Sequence, residues 1–233
     1  MTKRILLVAY ATLSVANVTA EALGATGPAK ATKAALMPLL LAWLLVTIRQ
    51  GHVSHPAPRW LALGLAFAWL GDLLLTGQGS AFFMAGLAAF LAMQACYIVS
   101  FTRIPGPGLV RARKILAVPY VAAWFLLNRV LAGGVGALQL PVLVYSAVLV
   151  GMALAALDLA GRVDREAGWL VALGAPIFVV SDGLIALTTF GPLSPSRLTD
   201  ASIMATYVVA QGLIVAGLSG AVNRPPAELP VTP

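Results

Sequence analysis

Two aspartates sit in the middle of long apolar runs, Asp72 in LAFAWLGDLLLTG and Asp182 in APIFVVSDGLIALTTFG. A carboxylate held at the depth of a hydrocarbon layer is disfavoured by about 2.5–3.5 kcal/mol on insertion scales, so such residues turn towards a bundle interior or a wet cavity. Two carboxyls in one poorly solvated space can divide acid–base work between them. One keeps its proton and donates it, and the other acts as base. Such a pair suits a bond whose cleavage begins with a proton transfer and needs only water.

Other chemistries lack their parts. The only histidines, His52 and His55, fall in the polar connection QGHVSHPAPR, so no Ser–His or Cys–His dyad is available inside the apolar runs. Ser181 precedes Asp182 but does not sit in a G-x-S-x-G elbow. The single cysteine, Cys96, allows neither an internal disulfide nor a cysteine-based metal site. There is no zinc motif, no strand pattern and no glycine-rich phosphate loop, and no metal or other cofactor is implied.

Further polar residues are spaced to meet the aspartates. Tyr10, Ser14, Asn17 and Glu21 follow one another at steps of four, three and four and share one helix face. Tyr207 and Gln211 share another, and Lys33 opens the second apolar run. Gly64, Ala68 and Thr76 flank Asp72 on its stripe, and Ala175, Ala186 and Thr189 flank Asp182. Small stripes of this kind let helices approach closely. The expectation is that Glu21, Lys33, Asp72, Asp182, Tyr207 and Gln211 converge on one polar cavity opening outward from mid-depth. Each also has a plainer reading. Glu21 and Lys33 can form a structural ion pair, Tyr207 and Gln211 can bond between helices, and either aspartate alone can cap a neighbour. Asp158, near a helix end, is expected to snorkel to the interface. Gln94 is expected nearer the cytoplasmic side, joining helices.

The elements that must position these residues are membrane helices. The chain has 233 residues, 60% hydrophobic and 10% charged, with a mean hydropathy of +0.93. A soluble domain carries about 25% charged residues. Runs of about 20 apolar residues place eight spans near 4–24, 31–49, 59–77, 80–102, 114–131, 137–160, 168–190 and 199–221. Glycine and proline clusters such as RIPGPGLVRARK and GPLSPSR separate them. The net charge of +7 is scattered over connections and forms no stripe for nucleic acid. Lys3, Arg4, Arg49, Arg59, Arg103, Arg111, Arg113, Lys114, Arg162, Arg165 and Arg224 fall on the side of the termini, against Lys30, Lys33, Arg129 and Arg197 on the other. The positive-inside rule then predicts an all-α bundle in the cell membrane with both termini cytoplasmic. The first run contains Asn17 and continues to Glu21 without a small-residue boundary, which favours a retained helix over a cleaved signal peptide. Residues 1–222 read as one transmembrane domain, and 223–233 as a Pro-rich, disordered cytoplasmic tail.

Both halves place a small residue and then Asp on an outward helix, followed by an inward helix with Gln94 or Gln211. A parallel four-plus-four repeat would bring the two aspartates face to face across an axis normal to the membrane.

The motifs TKAALMPLL, GDLLL, GLAAFLAMQACYI, GAPIFVVSDGLIAL and TYVVAQGLIVAGL resemble, in order, those of the YhhN-like lysoplasmalogenase family, over about residues 30–220. The GD and SD motifs are the most specific. The resemblance implies a bundle of about eight membrane helices that hydrolyses the vinyl ether bond of lysoplasmalogens. The products would be a fatty aldehyde and glycerophosphocholine or glycerophosphoethanolamine. The family's motif positions fall on Lys33, Asp72, Asp182, Tyr207 and Gln211. Gln94 stands where the family often has histidine. On this reading Asp72 and Asp182 are catalytic, in either order. Lys33, Tyr207, Gln211, Glu21 and Asn17 bind a lysophospholipid, and Lys33 holds its phosphate as a point charge. The rival class is a proton-coupled transporter or lipid-binding bundle that uses the same carboxylates as a relay.

Overall fold

The computed structural model describes residues 2–51 and 54–223, and among these it contains helices and no strand. Without water to satisfy the backbone, an apolar run of this length closes its hydrogen bonds within itself. The helices are α1 (Thr2–Leu23), α2 (Thr26–Gln50), α3 (Ala57–Leu74), α4 (Ser80–Thr102), the single turn α5 (Leu109–Ala112), α6 (Val118–Leu131), α7 (Gln139–Leu159), α8 (Arg165–Thr189) and α9 (Arg197–Asn223). 3₁₀ turns at Lys114–Ala117 and Gly136–Leu138 lead into α6 and α7.

Seven of the long helices have the length and composition to cross a membrane, which makes this a multi-pass membrane protein. The eighth, α3, carries Arg59 and Asp72 among its 18 residues. It is about 27 Å long at 1.5 Å per residue and packs between α2 and α4.

Two boundaries and the place of one side chain differ from the sequence reading. Gly24, Gly27 and Pro28 are expected together to end the first span, yet α2 starts at Thr26 and runs through Gly27 and Pro28. Pro28 falls in the first turn, where its missing N–H has no intrahelical partner to lose. Of the three, Gly24 makes the turn, with a φ of 70° that suits glycine. α8 begins at Arg165, ahead of the expected 168, because Asp164 caps it by accepting from the backbone N–H groups of Glu166 and Ala167. Asp158 does not snorkel. It is 7% exposed and forms ion pairs with Arg162 and with Arg111, the latter at 3.3 Å. Arg162 also donates to the backbone carbonyls of Phe101 and Ile104. Asp158 therefore ties the connection after α4 to the end of α7. His52, Arg224 and the rest of the Pro-rich tail lie outside the described residues.

The tightest pairs are α8 with α9, α3 with α4 and α1 with α2. α9 also lies along α1 and reaches α2 and α3, and α4 packs on α7. The core between them is built on Leu36, Leu40, Leu65, Met93, Tyr97 and Phe178, each essentially inaccessible to solvent. α6 is the exception. It lies lightly on α7 and on α8 and exposes Val121, Phe125 and Leu126.

Candidate active site

Each of the two aspartates has its own cluster of polar partners, and the two clusters are separate. Asp72, on α3, is 1% exposed. Its Oδ2 accepts from the Tyr207 hydroxyl of α9 at 2.7 Å. Its Oδ1 lies 3.6 Å from the Lys33 ammonium of α2. Beside it α3 and α4 come close because Gly71 has no side chain: a Cβ there would lie 2.8 Å from the Phe90 ring of α4. Phe90 in turn packs edge-on to Tyr207, with ring centroids 6.1 Å apart. Asp72 is thus a sealed carboxylate with a cation on one oxygen and a phenol on the other.

Asp182, on α8, is 9% exposed. The Tyr145 hydroxyl of α7 donates to its Oδ2 at 2.5 Å, and the Gln94 amide of α4 reaches the same oxygen at 3.4 Å. Both donors fall on Oδ2, so Oδ1 is the oxygen left to carry a proton. No cation pairs with Asp182 among the described residues. The Gln94 side-chain carbonyl is buried without a partner, and a buried acceptor of this kind favours a donor brought by water or ligand. Asp72 and Asp182 are close enough to feel each other's charge.

Asp182 and Tyr145 form part of the wall of a cavity of about 620 Å³, counted with its open mouth. Apart from Ser146 the rest of the lining is apolar, including Leu75, Phe83, Leu87, Leu131 and Phe190. A mostly apolar cavity with a few convergent polar groups is the usual form of a small-molecule site. A carboxyl facing such a space without a counter-ion can hold and deliver a proton. A carboxylate paired as Asp72 is can supply only a fixed negative charge.

The expected single polar cavity is therefore replaced by two clusters and one largely apolar cavity. Lys33 stands against Asp72, with a side chain 19% exposed, and does not line the cavity. Tyr207 is bound to Asp72. Gln211 meets neither aspartate: it accepts from Tyr97 at 2.6 Å and donates to the Met93 sulfur at 3.4 Å. The polar face of α1 joins helices. The Tyr10 hydroxyl donates to the Val208 carbonyl, and the Asn17 amide donates to the Ala29 carbonyl and the Thr32 hydroxyl. Glu21 lies within reach of the charges of Lys33 and Asp200, without the close pairing Lys33 makes with Asp72. Gln94, expected at a different depth from Asp182, meets it instead and so shares its level in the bundle. Tyr145 was not singled out in the sequence. Its signal is the repeat: it precedes Asp182 by nearly the spacing at which Lys33 precedes Asp72.

The YhhN family profile matches residues 29–218, a span that contains every member of both clusters. The proteins named lysoplasmalogenase TMEM86A in Homo sapiens and in Bos taurus are each 32% identical to this chain over 197 residues. The alignment covers 82% of this chain and 78% of each relative. No solved structure matches. By the extent of the profile match and the coverage of these relatives, the chain belongs to the YhhN family.

Proposed function

We propose that this protein is a lysoplasmalogenase of the cell membrane, with both termini cytoplasmic, and that Asp182 is its proton donor. The observation that carries this reading is Asp182 itself: a buried carboxyl with no counter-ion among the described residues, in the wall of a largely apolar cavity, with Tyr145 and Gln94 fixing one of its oxygens. The names of the relatives supply the substrate class.

A vinyl ether, R–CH=CH–O–R′, is cleaved by protonation at its β-carbon. Asp182 gives that proton, the double bond's electron pair forms the new C–H bond, and the remaining cation is shared between the α-carbon and the ether oxygen. The fixed charge of Asp72, buried and within reach, stabilises this cation without touching it. Lys33 and Tyr207 hold Asp72 in place. Water adds to the cation and returns a proton to the Asp182 carboxylate, and the Gln94 carbonyl is placed to accept a hydrogen bond from that water. The hemiacetal then collapses to the aldehyde R–CH2–CHO and the alcohol R′–OH. One water is consumed and the acid is regenerated.

The test is aldehyde release from 1-alkenyl lysophosphatidylethanolamine and its choline counterpart by the purified protein in detergent, run in D2O. The expected product carries one deuterium on the carbon next to the carbonyl. Aldehyde without that deuterium would remove the carbon-protonation step. A folded protein that releases no aldehyde with either headgroup, yet moves lipid or protons in vesicles, would establish the carrier reading instead.

A further inference from the structure

A second apolar recess runs along the lipid-facing side of the bundle between α6, α7 and α8. It is a groove of about 770 Å³, again with its open mouth, walled by Tyr120, Trp124, Val180, Leu184 and Leu187 among others. Val180 is 53% exposed, so the groove opens sideways. It also shares Leu127, Ser146, Leu149 and Gly183 with the cavity that holds Asp182. The two recesses therefore meet beside the aspartate, and Gly183, its chain neighbour, lies at the junction. A Cβ added at Gly183 meets no atom within 4 Å. Unlike Gly71, this glycine is not required by a neighbouring side chain.

We propose that the groove receives the hydrocarbon chain of a single-chain ether lipid sideways from the bilayer, and that Gly183 keeps open the sill over which its ether end enters the cavity. The proposal rests on the lysoplasmalogenase reading for the identity of the lipid. Three features commit the groove to a hydrocarbon occupant. Its walls are apolar, and Ser146, a hydroxyl at the junction, already bonds Trp124 and Asn128. Its mouth opens beside exposed apolar side chains such as Val180, on helices long and apolar enough to cross a membrane. It leads to the carboxyl that the bond next to the chain must reach. The light packing of α6 on α7 and α8 leaves this wall the least constrained of the bundle.

The experiment uses a 1-O-hexadecyl lysophosphatidylethanolamine with a diazirine in mid-chain, a saturated ether that binds without being cleaved. The full-length protein is photolabelled in vesicles and the labelled residues are mapped by mass spectrometry. Label is expected on α6 around Trp124–Leu127 and on α8 around Val180–Leu187. Gly183→Leu should cut it by about tenfold, which is what losing the burial of roughly two methylenes brings, with the melting temperature retained. Leu184→Trp, which fills the groove from its wall, should do the same without changing Asp182's neighbour. Label on other helices, or label unchanged in both variants, would overturn the proposal. So would a Gly183→Leu protein that fails to fold, since the junction would then not be open. If the wild type labels as expected and both variants lose the label while no aldehyde is ever released, the chain path stands and the lysoplasmalogenase reading fails.

Discussion

Asp72 and Asp182 stand on the third long helix of each half of the chain, and each is held in the same way. One partner comes from the helix before it in its own half, Lys33 of α2 or Tyr145 of α7. The other comes from the last helix of the opposite half, Tyr207 of α9 or Gln94 of α4. The halves then diverge at their first helices. α1 packs along α2 and α9, the two helices that carry the partners of Asp72. Its counterpart α6 lies lightly on α7 and α8, and the space beside Asp182 remains a cavity. One arrangement thus yields two chemically different carboxyls. A cation and a close-packed helix make the first a fixed charge, and the lack of both leaves the second free to exchange a proton with a ligand.

The most direct way to break this comparison is to neutralise each aspartate in turn. Asp182→Asn keeps the shape and removes the transferable proton, so kcat for aldehyde release should fall by about 10²–10⁴-fold while thermal stability in detergent changes little. Asp72→Asn should act the other way round. It leaves the Lys33 ammonium without its carboxylate and removes a charged partner from Tyr207, at a cost of about 1.5–3 kcal/mol in stability, with a smaller loss in kcat. If the two variants lose activity and stability in the same proportion, the division into reactive acid and fixed charge is wrong.

The phenols give a finer version. Tyr145→Phe removes the donor that holds Asp182 at the cavity wall. The bond counts most for the carboxylate that forms as Asp182 gives up its proton, and a hydrogen bond to a charged group is worth about 1.5–3 kcal/mol, so a loss of roughly 10–150-fold in kcat is expected, with KM nearly unchanged. Tyr207→Phe removes the matching donor on Asp72, and its effect should appear mainly in the melting temperature. A Tyr207→Phe protein that is fully stable yet loses more turnover than Tyr145→Phe would exchange the roles of the two clusters.

How much of this was legible before any coordinates depended on the kind of signal. Length and hydropathy gave the helices, because each span must satisfy its backbone alone and leaves a long uninterrupted run. Asp72 and Asp182 were visible as charges where charge is disfavoured, and the clustering of Lys33 and Tyr207 with one of them was legible as shared depth. What could not be read was which aspartate each polar residue would meet, since helix rotation about its axis is set by packing partners distant in sequence. Gln211 illustrates this. It has the spacing and depth to join the site, and the Tyr97 ring of α4 claims its carbonyl instead. Tyr145 escaped for the opposite reason. It is a lone hydroxyl in an apolar run, an ordinary sight until the repeat assigns it the place of Lys33. The cavity was invisible because it arises from the light packing of α6, a property of interfaces that periodicity within one helix does not encode.

The smallest effect gives the comparison its sharpest sign test. Gly71 and Gly183 each adjoin an aspartate within a helix, and helix propensity alone favours replacing either by alanine by about 0.8–1 kcal/mol. At Gly183 nothing opposes that gain, because the added Cβ meets open space, so Gly183→Ala should raise the melting temperature. At Gly71 the added Cβ lies 2.8 Å from the Phe90 ring. Phe90 is pinned between α3 and Tyr207, and overpacking of this kind is unfavourable by about 1–3 kcal/mol, enough to cancel or reverse the propensity term. Gly71→Ala should therefore be neutral to destabilised. Measured side by side in detergent, Gly183→Ala should be the more stable of the two by the overpacking term, about 1–3 kcal/mol. If Gly183→Ala is destabilised as much as Gly71→Ala, the space beside Asp182 is packed like that beside Asp72, and the asymmetry that makes one carboxyl reactive is lost.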